Sequence, residues 1–361
     1  MRPIYTLGVF IPIAVVLELV HAEPVFVFGA AAMAVIPCAA VMGEATEAIA
    51  AKSGPGIGGL MNVTFGNAPE LIIAFFALLE GLQEVVKASL VGSIVGNTLL
   101  VMGAAMLVGG LPRDKQTFSQ TAANAQSAML TLALAALIFP AIFQLVHGGG
   151  LPGVGEQRVD FGSELEQLSF GVAIVLLVSY ALGLLFSLKT HKAVFNPFDE
   201  DEDDEETHHW SVKRAGIFLA ISAVAVGLMS EILVGSISEA SEDIGLSEFF
   251  VGVFVVAIVG NAAEHWVAVL VAAKDKMDLA VNIAIGSSAQ IALFVAPVLV
   301  LASFVVGPSP MALVFNGYEM GGLLFAVLIA NLVTQDGESN WFEGVQLLAL
   351  YAVLGLVFYF A

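Results

Sequence analysis

Two apolar stretches of the chain each contain a glutamate within nearly the same motif. The sequence GNAPE at 66–70 is matched by GNAAE at 260–264, 194 residues later. A charged side chain at the centre of a membrane helix costs about 2.5–3.5 kcal/mol on insertion scales, so such residues usually serve a function. A duplicated intramembrane carboxylate is typical of transporters built from two repeats, whose ion site lies where the repeats meet. The spacing therefore predicts one site to which both Glu70 and Glu264 contribute.

Neutral oxygen atoms surround both glutamates in the sequence. Asn67 precedes Glu70 by three residues, as Asn261 precedes Glu264, so each pair shares one face of a helix. The segments that follow, 92–97 and 286–291, add further amides and hydroxyls. Calcium takes six to eight oxygen ligands, and the soft ligands suited to copper or zinc are missing. The predicted metal ligands are Glu70, Glu264, Asn67, Asn261, Ser287, Gln290 and Asn97.

The two carboxylates also indicate a coupling ion. When both are ionised, they match the charge of one divalent cation. Without metal, two carboxylates crowded in a low-dielectric site bind protons readily. Both loaded states are then close to neutral, and neutral states cross an apolar barrier at the lowest cost. The hypothesis is exchange of a divalent cation for protons, with Glu70 and Glu264 as the proton-coupling groups.

Glycine and proline predict a break in the first motif. Gly66 and Pro69 flank Asn67, and both residue types weaken a regular helix. A break at membrane depth is tolerated where the freed backbone groups line a cavity or an ion. In the second motif Ala263 replaces the proline, so a milder break is expected there. Gly92 is expected to allow close helix packing, and so is its counterpart Gly286.

Further ionisable residues lie towards the ends of the apolar segments. We predict vestibule or gating roles for Glu44, Glu47, Glu239, Glu242 and His265. The first two carboxylates end one segment and the next two end its counterpart, so inversion places them on opposite faces; a polar helix terminus is the alternative. His265 lacks a second histidine one turn later, which excludes a zinc-protease helix. It is expected to orient Glu264 or to line the cavity.

Composition identifies an all-α integral membrane protein. Of 361 residues, 58% are hydrophobic and 12% are charged, and the mean hydropathy is +0.93, which excludes an ordinary soluble enzyme. Since a span needs about 20 apolar residues, eleven are predicted: 4–21, 25–51, 57–80, 86–110, 121–147, 165–189, 213–236, 248–273, 279–305, 311–334 and 341–361. The single cysteine, Cys38, excludes an intramolecular disulfide.

No enzyme activity, cofactor or nucleic-acid partner is expected. Calcium, protons and membrane lipid are the expected partners, and the sequence does not decide whether the protein forms a homo-oligomer.

Lysine and arginine predict the orientation of the spans. Ten of these residues fall on the side of the N-terminus: Arg2, Lys52, Arg113, Lys115, Lys189, Lys192, Lys213, Arg214, Lys274 and Lys276. Only Lys87 and Arg158 fall on the other side. The positive-inside rule therefore predicts a cytoplasmic N-terminus and a C-terminus on the opposite side. The short loops favour a prokaryotic plasma membrane, with a vacuolar membrane as the alternative. The first span is expected to be a retained helix rather than a cleaved signal peptide.

An acidic run divides the chain into two halves of five spans. It consists of Asp199, Glu200, Asp201, Glu202, Asp203, Asp204, Glu205 and Glu206, and it contributes to a net charge of −20. Five crossings per copy force the second repeat to enter the membrane from the opposite face. The predicted organisation is an accessory helix at 1–23, repeats at 24–192 and 213–361, and an acidic linker or helix at 193–212. The run is either a solvated linker or a cation-attracting cytoplasmic segment.

The paired motifs resemble those of the cation/proton exchanger branch of the calcium:cation antiporter superfamily. The matching sequences are GNAPEL at 66–71, GSIVGN at 92–97, GNAAEH at 260–265, GSSAQI at 286–291 and DGESNW at 336–341. The resemblance covers essentially the whole chain. It implies calcium export or sequestration driven by a proton gradient, with Glu70 and Glu264 as the central carboxylates. It also implies an accessory first helix and two inverted five-helix repeats.

Two rival functions stay open at this point. The first is a sodium-coupled calcium antiporter of the same superfamily. The motifs of that branch are similar but have an aspartate in one repeat. Glutamate in both repeats favours protons. The other rival is a divalent-cation channel, in which the duplicated carboxylates form a selectivity filter.

Overall fold

The chain forms a helical structure with one small two-stranded sheet. The computed structural model describes residues 2–53, 58, 61, 64–155, 162–190 and 210–361. The acidic run at 199–206 lies outside the described residues. The strands β1 (Gln116–Thr117) and β2 (Glu338–Ser339) pair in antiparallel register.

The helices follow the predicted apolar segments. In chain order they are α1 (Pro3–Leu19, with a 3₁₀ turn at Thr6–Val9), α2 (Pro24–Ala50), α3 (Ala68–Leu79), α4 (Gln83–Gly110), α5 (Gln120–Val146), α6 (Glu164–Thr190), α7 (Val212–Gly235), α8 (Ile237–Ile244), α9 (Glu248–Ala273), α10 (Met277–Ser303), α11 (Gly317–Val333) and α12 (Trp341–Phe360). Within the described residues, eight helices are long and apolar enough to cross a membrane, and α1, α3 and α11 are shorter apolar helices. The all-helical membrane fold is confirmed, and the count of eleven crossings stays a prediction.

The helix break differs between the two motifs as the sequence predicted. Residues 64–66 are helical, Asn67 forms a turn, and α3 begins at Ala68. Pro69 thus stands in the first turn of α3, where its missing N–H breaks no helical hydrogen bond. In the second copy, α9 continues without interruption through Gly260 and Glu264. Replacing the proline with Ala263 therefore coincides with an intact helix.

Wide helical turns follow the second motif of each repeat. In α4 the segment Gly96–Val101 is a π-helix, and in α10 the segment Ile291–Val295 is one. The motif offset of 194 residues places these segments at equivalent positions. Two further π-helical segments lie at Phe186–Thr190 in α6 and Val251–Val256 in α9. Isolated π-turns interrupt the regular ladder of backbone hydrogen bonds and occur frequently at functional sites. The repeats therefore share a backbone irregularity that their side chains did not predict.

The described contacts divide the chain into two compact units. Unit one contains Met1–Phe76, Ala181–Gly245 and Val259–Ala263. Unit two contains Ala77–Tyr180, Leu246–Ile258 and Glu264–Ala361. Each unit draws on both halves of the sequence. The predicted boundaries at 1–23, 24–192, 193–212 and 213–361 describe repeats rather than compact units, and they stay a prediction.

Unit one is built on the antiparallel pair of α2 and α7. Ala48 and Ile49, at the end of α2, form an apolar cluster with Ala215, at the beginning of α7. Lys52 donates a hydrogen bond to the carbonyl oxygen of Trp210 at the same end of the pair. These helices are equivalent members of the two repeats, so their opposite directions agree with the inverted relation. Helix α1 packs along α2.

Unit two contains a second set of equivalent helices, α4 and α10. At one end, Arg113 forms an ion pair of 3.2 Å with Asp275, which precedes α10. At the other end, Gln83 donates a hydrogen bond of 2.9 Å to the carbonyl oxygen of Ser309, which follows α10. The start of α4 thus lies near the end of α10, and the end of α4 lies near its start. This pair is antiparallel too.

The loops of unit two contact one another in two sets. We call the first set, loops 111–119, 274–276 and 334–340, the basic-loop face. Lys115 pairs with Glu338 at 2.6 Å within this face, and Gln120 donates to the carbonyl oxygen of Gln335. The second set joins the loop before α4 to those that follow α5 and α10. Each set contains loops to which the charge count assigns the same side of the membrane.

Gly92 has the packing role that the sequence predicted. A side chain at Gly92 would place its Cβ atom 2.0 Å from the carbonyl oxygen of Val253 and 2.8 Å from Cβ of Ala257. Helix α4 therefore lies directly on the backbone of α9. Gly252 has the reciprocal role, since a Cβ there would lie 2.9 Å from Ala88. Small residues let these two helices approach backbone to backbone.

Candidate functional site

Glu70 is the buried carboxylate of unit one. It stands in the first turn of α3 and is 8% exposed. A Cβ atom at Gly260 would lie 3.2 Å from Cγ of Glu70 and 3.7 Å from its Oε1 atom. The missing side chain of Gly260 therefore leaves the space that the Glu70 carboxylate fills. The first motif contacts the second at this point, one helical turn before Glu264 in the sequence.

The two motif asparagines are also buried in unit one. Asn67, in the turn before α3, is 1% exposed, and Asn261, in α9, is 0% exposed. Buried amides in an apolar helix are costly unless they bind a partner or an ion. Both residues make polar interactions. Their burial in the same unit as Glu70 agrees with the predicted supporting role, which stays a prediction.

Glu264 has a direct hydroxyl partner in unit two. Ser287 of α10 is buried, and its Oγ atom donates a hydrogen bond of 2.8 Å to Oε2 of Glu264. Glu264 itself is half-buried. Gln290 follows Ser287 by three residues in α10 and is also half-buried. The structure thus brings together two predicted ligands, and it places a third one helical turn away.

His265 contacts an amide from the other repeat. Its Nε2 atom lies 2.9 Å from Oδ1 of Asn97, which is 2% exposed and stands in the π-helical segment of α4. His265 is therefore within hydrogen-bonding distance of a predicted ligand, Asn97, within unit two. The predicted gating role of His265 is not tested by this contact.

The four predicted vestibule carboxylates belong to unit one. Glu44 and Glu47 lie in the last turns of α2, and Tyr5 of α1 donates a hydrogen bond to Glu44. Glu239 and Glu242 lie in α8, directly after α7, and both are exposed. Because α2 and α7 run antiparallel over about 35 Å, these two sets lie at opposite ends of the pair. That placement agrees with vestibules on opposite faces.

A buried charged cluster in unit two was missed by the sequence analysis. Glu84 and Lys87 of α4 are 3% and 5% exposed, and Glu319 of α11 is 1% exposed. Lys87 donates to the carbonyl oxygen of Val314, and Glu84 accepts a hydrogen bond of 2.6 Å from the backbone N–H of Gly155. The carboxylate of Glu319 closes a capping box at the start of α11. The three-residue spacing of Glu84 and Lys87 is the sequence signal for a shared helix face, whereas the count of lysine and arginine uses Lys87 only to assign a side of the membrane.

The donor atoms available to a cation are hard oxygens. Among the described residues, no group of three or more His, Cys, Asp and Glu side chains is placed to hold a metal ion. Each repeat contributes one glutamate to the predicted metal ligands, and the other predicted ligands are amide and hydroxyl groups. Ser287 and Glu264 are in direct contact. Such neutral donors suit the variable oxygen coordination of calcium.

Comparison with known proteins agrees with the duplicated architecture. A model of the sodium/calcium exchanger protein family matches residues 23–189 and 215–360, which are the two halves of the sequence. The chain belongs to this family. The resemblance inferred from the paired motifs is confirmed.

Relatives with high identity cover nearly the whole chain. A Ca²⁺/H⁺ antiporter of Aphanothece halophytica is 44% identical, over 99% of this chain and 96% of the relative. A vacuolar calcium ion transporter of Schizosaccharomyces pombe is 40% identical, over 98% of this chain and 83% of the relative. The solved structure of selenium-substituted YfkE, named a Ca²⁺/H⁺ antiporter, is 38% identical, covers 100% of both chains and superposes with a TM-score of 0.83.

Proposed function

We propose that this family member exchanges Ca²⁺ for H⁺ across a membrane by alternating access. Relatives of 40–44% identity are named as Ca²⁺/H⁺ antiporters or calcium transporters, and they cover most of the chain. The observation that carries the proposal is the paired motif: a buried Glu70 against Gly260, and Glu264 bonded to Ser287. Ca²⁺ is the transported substrate in this proposal rather than a resident cofactor.

The two glutamates bind metal or protons in turn. Asn67, Asn261, Asn97, Ser287 and Gln290 supply neutral oxygens when the metal is bound. Proton binding replaces the positive charge when the metal leaves, so both loaded forms avoid an uncompensated charge in the apolar interior. Inverted repeats support such a cycle, because equivalent helices can exchange roles when the site opens to the other face.

Further proposed features concern the membrane and the ends of the chain. The protein is a multi-pass membrane protein in which the basic-loop face is cytoplasmic, the N-terminus is cytoplasmic and the C-terminus lies on the opposite side. Relatives include both bacterial and vacuolar proteins, and the short loops favour a prokaryotic plasma membrane. Glu44, Glu47, Glu239 and Glu242 act as vestibule carboxylates. The protein has no enzymatic activity and needs no cofactor.

Calcium flux in vesicles tests the proposal. Purified protein in proton-tight, sodium-free vesicles should accumulate radioactive calcium when a pH gradient is imposed, and a protonophore should abolish the uptake. Uptake that requires a sodium gradient would instead favour the sodium-coupled exchanger. Calcium conductance that is independent of any counter-ion gradient would favour the channel.

Three glutamine variants assign the carboxylates. Glu70→Gln and Glu264→Gln should each abolish uptake. Glutamine has no ionisable carboxylate, so the position could no longer bind metal and protons in turn. Glu164→Gln is the matched control, since Glu164 is an exposed carboxylate in the first turn of α6. It should retain wild-type uptake. Wild-type uptake in either motif variant would refute the assignment of that glutamate.

A further inference from the structure

A line of polar residues runs along one side of α10. Asp278, Asn282, Gly286 and Gln290 follow one another at intervals of four residues, so they lie along one side of the helix. Asn282 is exposed, and Asp278 and Gln290 are partly exposed, whereas most neighbouring residues of this helix are buried. An exposed amide within an apolar span is costly against lipid and is typical of a water-filled cavity. The accessible side of α10 thus contains this polar line together with Leu279, which is 45% exposed.

Gln126 of α5 completes this line from the facing helix. It is 8% exposed, and its side-chain amide donates a hydrogen bond to Oδ1 of Asn282. The Oε1 atom of Gln126 is buried and accepts no hydrogen bond from any residue that the structure describes. A buried amide oxygen without a donor is costly unless water or an ion binds it. This atom therefore indicates a ligand at the amide pair.

Gly286 leaves the space in which the amide pair meets. A Cβ atom at this position would lie 3.3 Å from Oδ1 of Asn282 and 3.6 Å from Nε2 of Gln126. Gly92, the counterpart of Gly286 in the first repeat, instead lies on the backbone of α9. Gly286 therefore packs against a side chain of α5 rather than against a helix backbone. The nearest atoms to Gly286 are the polar ends of two side chains.

The position of the amide pair connects the basic-loop face to Glu264. Asp278 lies at the start of α10 and accepts a hydrogen bond from the backbone N–H of Ser119 in that face. Asn282 lies one turn further along α10, and Ser287, the partner of Glu264, follows it by five residues, about 7.5 Å along the axis. All of these residues belong to unit two.

We infer that Gln126 and Asn282 form an amide station for the partly hydrated calcium ion on its route between the basic-loop face and Glu264. The inference rests on the proposed function, because it takes calcium as the transported ion. Amide oxygens replace part of the hydration shell without adding a charge that would trap the ion. Asp278 attracts the cation at the entrance, and the amide station transfers it towards Ser287 and Gln290.

Thiol labelling tests the route independently of transport. Cys38 is buried and is the only cysteine in the sequence, so Cys38→Ala gives a cysteine-free background. In oriented vesicles, Ile283→Cys, at the partly exposed position next to Asn282, should react with a membrane-impermeant maleimide added at the basic-loop face, and not from the other face. Calcium should slow this reaction, whereas the same concentration of magnesium should slow it less. Leu132→Cys, on α5 at a position 55% exposed, is the lipid-facing control and should stay unlabelled.

A second variant separates occupation of the station from a general conformational change. In Gln126→Leu, calcium should no longer protect Ile283→Cys, and the calcium concentration for half-maximal uptake at this face should rise about two- to tenfold, as for loss of one neutral polar contact. An unreactive Ile283→Cys, or full calcium protection of Ile283→Cys in Gln126→Leu, would overturn the inference. If labelling and protection behave as expected while no proton-driven uptake occurs, the station stands and the proposed exchange fails.

Discussion

Glu70 and Glu264 hold matching places in the sequence but have different surroundings. Glu70 is buried against the backbone at Gly260, where its space depends on a missing side chain. Glu264 is half-buried and accepts a hydrogen bond from Ser287. A hydroxyl group can both donate to a carboxylate and bind a metal through its oxygen. The two glutamates therefore occupy equivalent positions in the two repeats but differ in burial and in their hydrogen-bond partners.

Two adjacent serines allow a controlled test of the Ser287 contact. Ser287→Ala removes a hydroxyl that orients the proposed ligand Glu264, and loss of such a partner of a metal ligand typically lowers metal affinity about 10- to 100-fold, so half-maximal calcium uptake should need at least about tenfold more calcium. Ser288→Ala is the control, because the hydroxyl of Ser288 donates only to backbone oxygens among the described residues, that of Ala284 at 2.8 Å and that of Ile94 at 3.4 Å. It should change the calcium requirement by less than about twofold. Equal effects of the two variants in a vesicle uptake assay would contradict the assigned role of Ser287.

At the scale of the helices, features that depend on local sequence could be predicted, and features that depend on contacts between distant helices could not. Hydrophobic segments, glycine and proline predicted the positions of the helices, the turn at Asn67 and the unbroken helix through Gly260 and Glu264, because these features depend on local backbone preferences. The π-helical segments of α4 and α10 could not be predicted, because no residue type requires them. Gln126 was missed for a related reason. Its importance depends on a facing helix that is 156 residues away in the sequence.

The contact between α4 and α9 should determine much of the stability of unit two. In Gly92→Ala, the new methyl group would lie 2.0 Å from the carbonyl oxygen of Val253, so the helices must separate. Overpacking of this kind typically costs about 1–3 kcal/mol, and the thermal unfolding midpoint of the detergent-purified protein should fall by several degrees. Gly96→Ala, one turn later and with no atom within 4 Å of the added Cβ, should unfold close to the wild-type temperature. Equal midpoints for the two variants would show that this approach is not tight.

At the scale of the whole molecule, the charged loops indicate which ends of the helices lie on the same side of the membrane. The basic-loop face joins three loops that the lysine and arginine count assigns to one side, and the contacts Arg113–Asp275 and Lys115–Glu338 hold these loops together. Charge counting could predict this grouping, because it reflects how the chain inserts into the membrane. The contacts themselves could not be predicted, since they depend on how distant helices pack.

Reporter fusions test the predicted orientation and the odd number of crossings. In a bacterial host, alkaline phosphatase fused after Ala361 should be active, because the predicted C-terminus lies outside the cytoplasm. The same enzyme fused after Lys276, in the basic-loop face, should be inactive, and green fluorescent protein should give the opposite pattern. A fluorescent fusion after Ala361 would contradict an odd number of crossings with a cytoplasmic N-terminus.

The mixed origin of the two units has a consequence for biosynthesis. Unit one needs residues up to Ala263, and unit two needs the chain as far as Ala361. While the ribosome is still making the second half, the early helices have left the translocon without their final neighbours. Glu70 is made 190 residues before Gly260, against which it packs, so the nascent chain must keep this carboxylate away from lipid until the second half has been made.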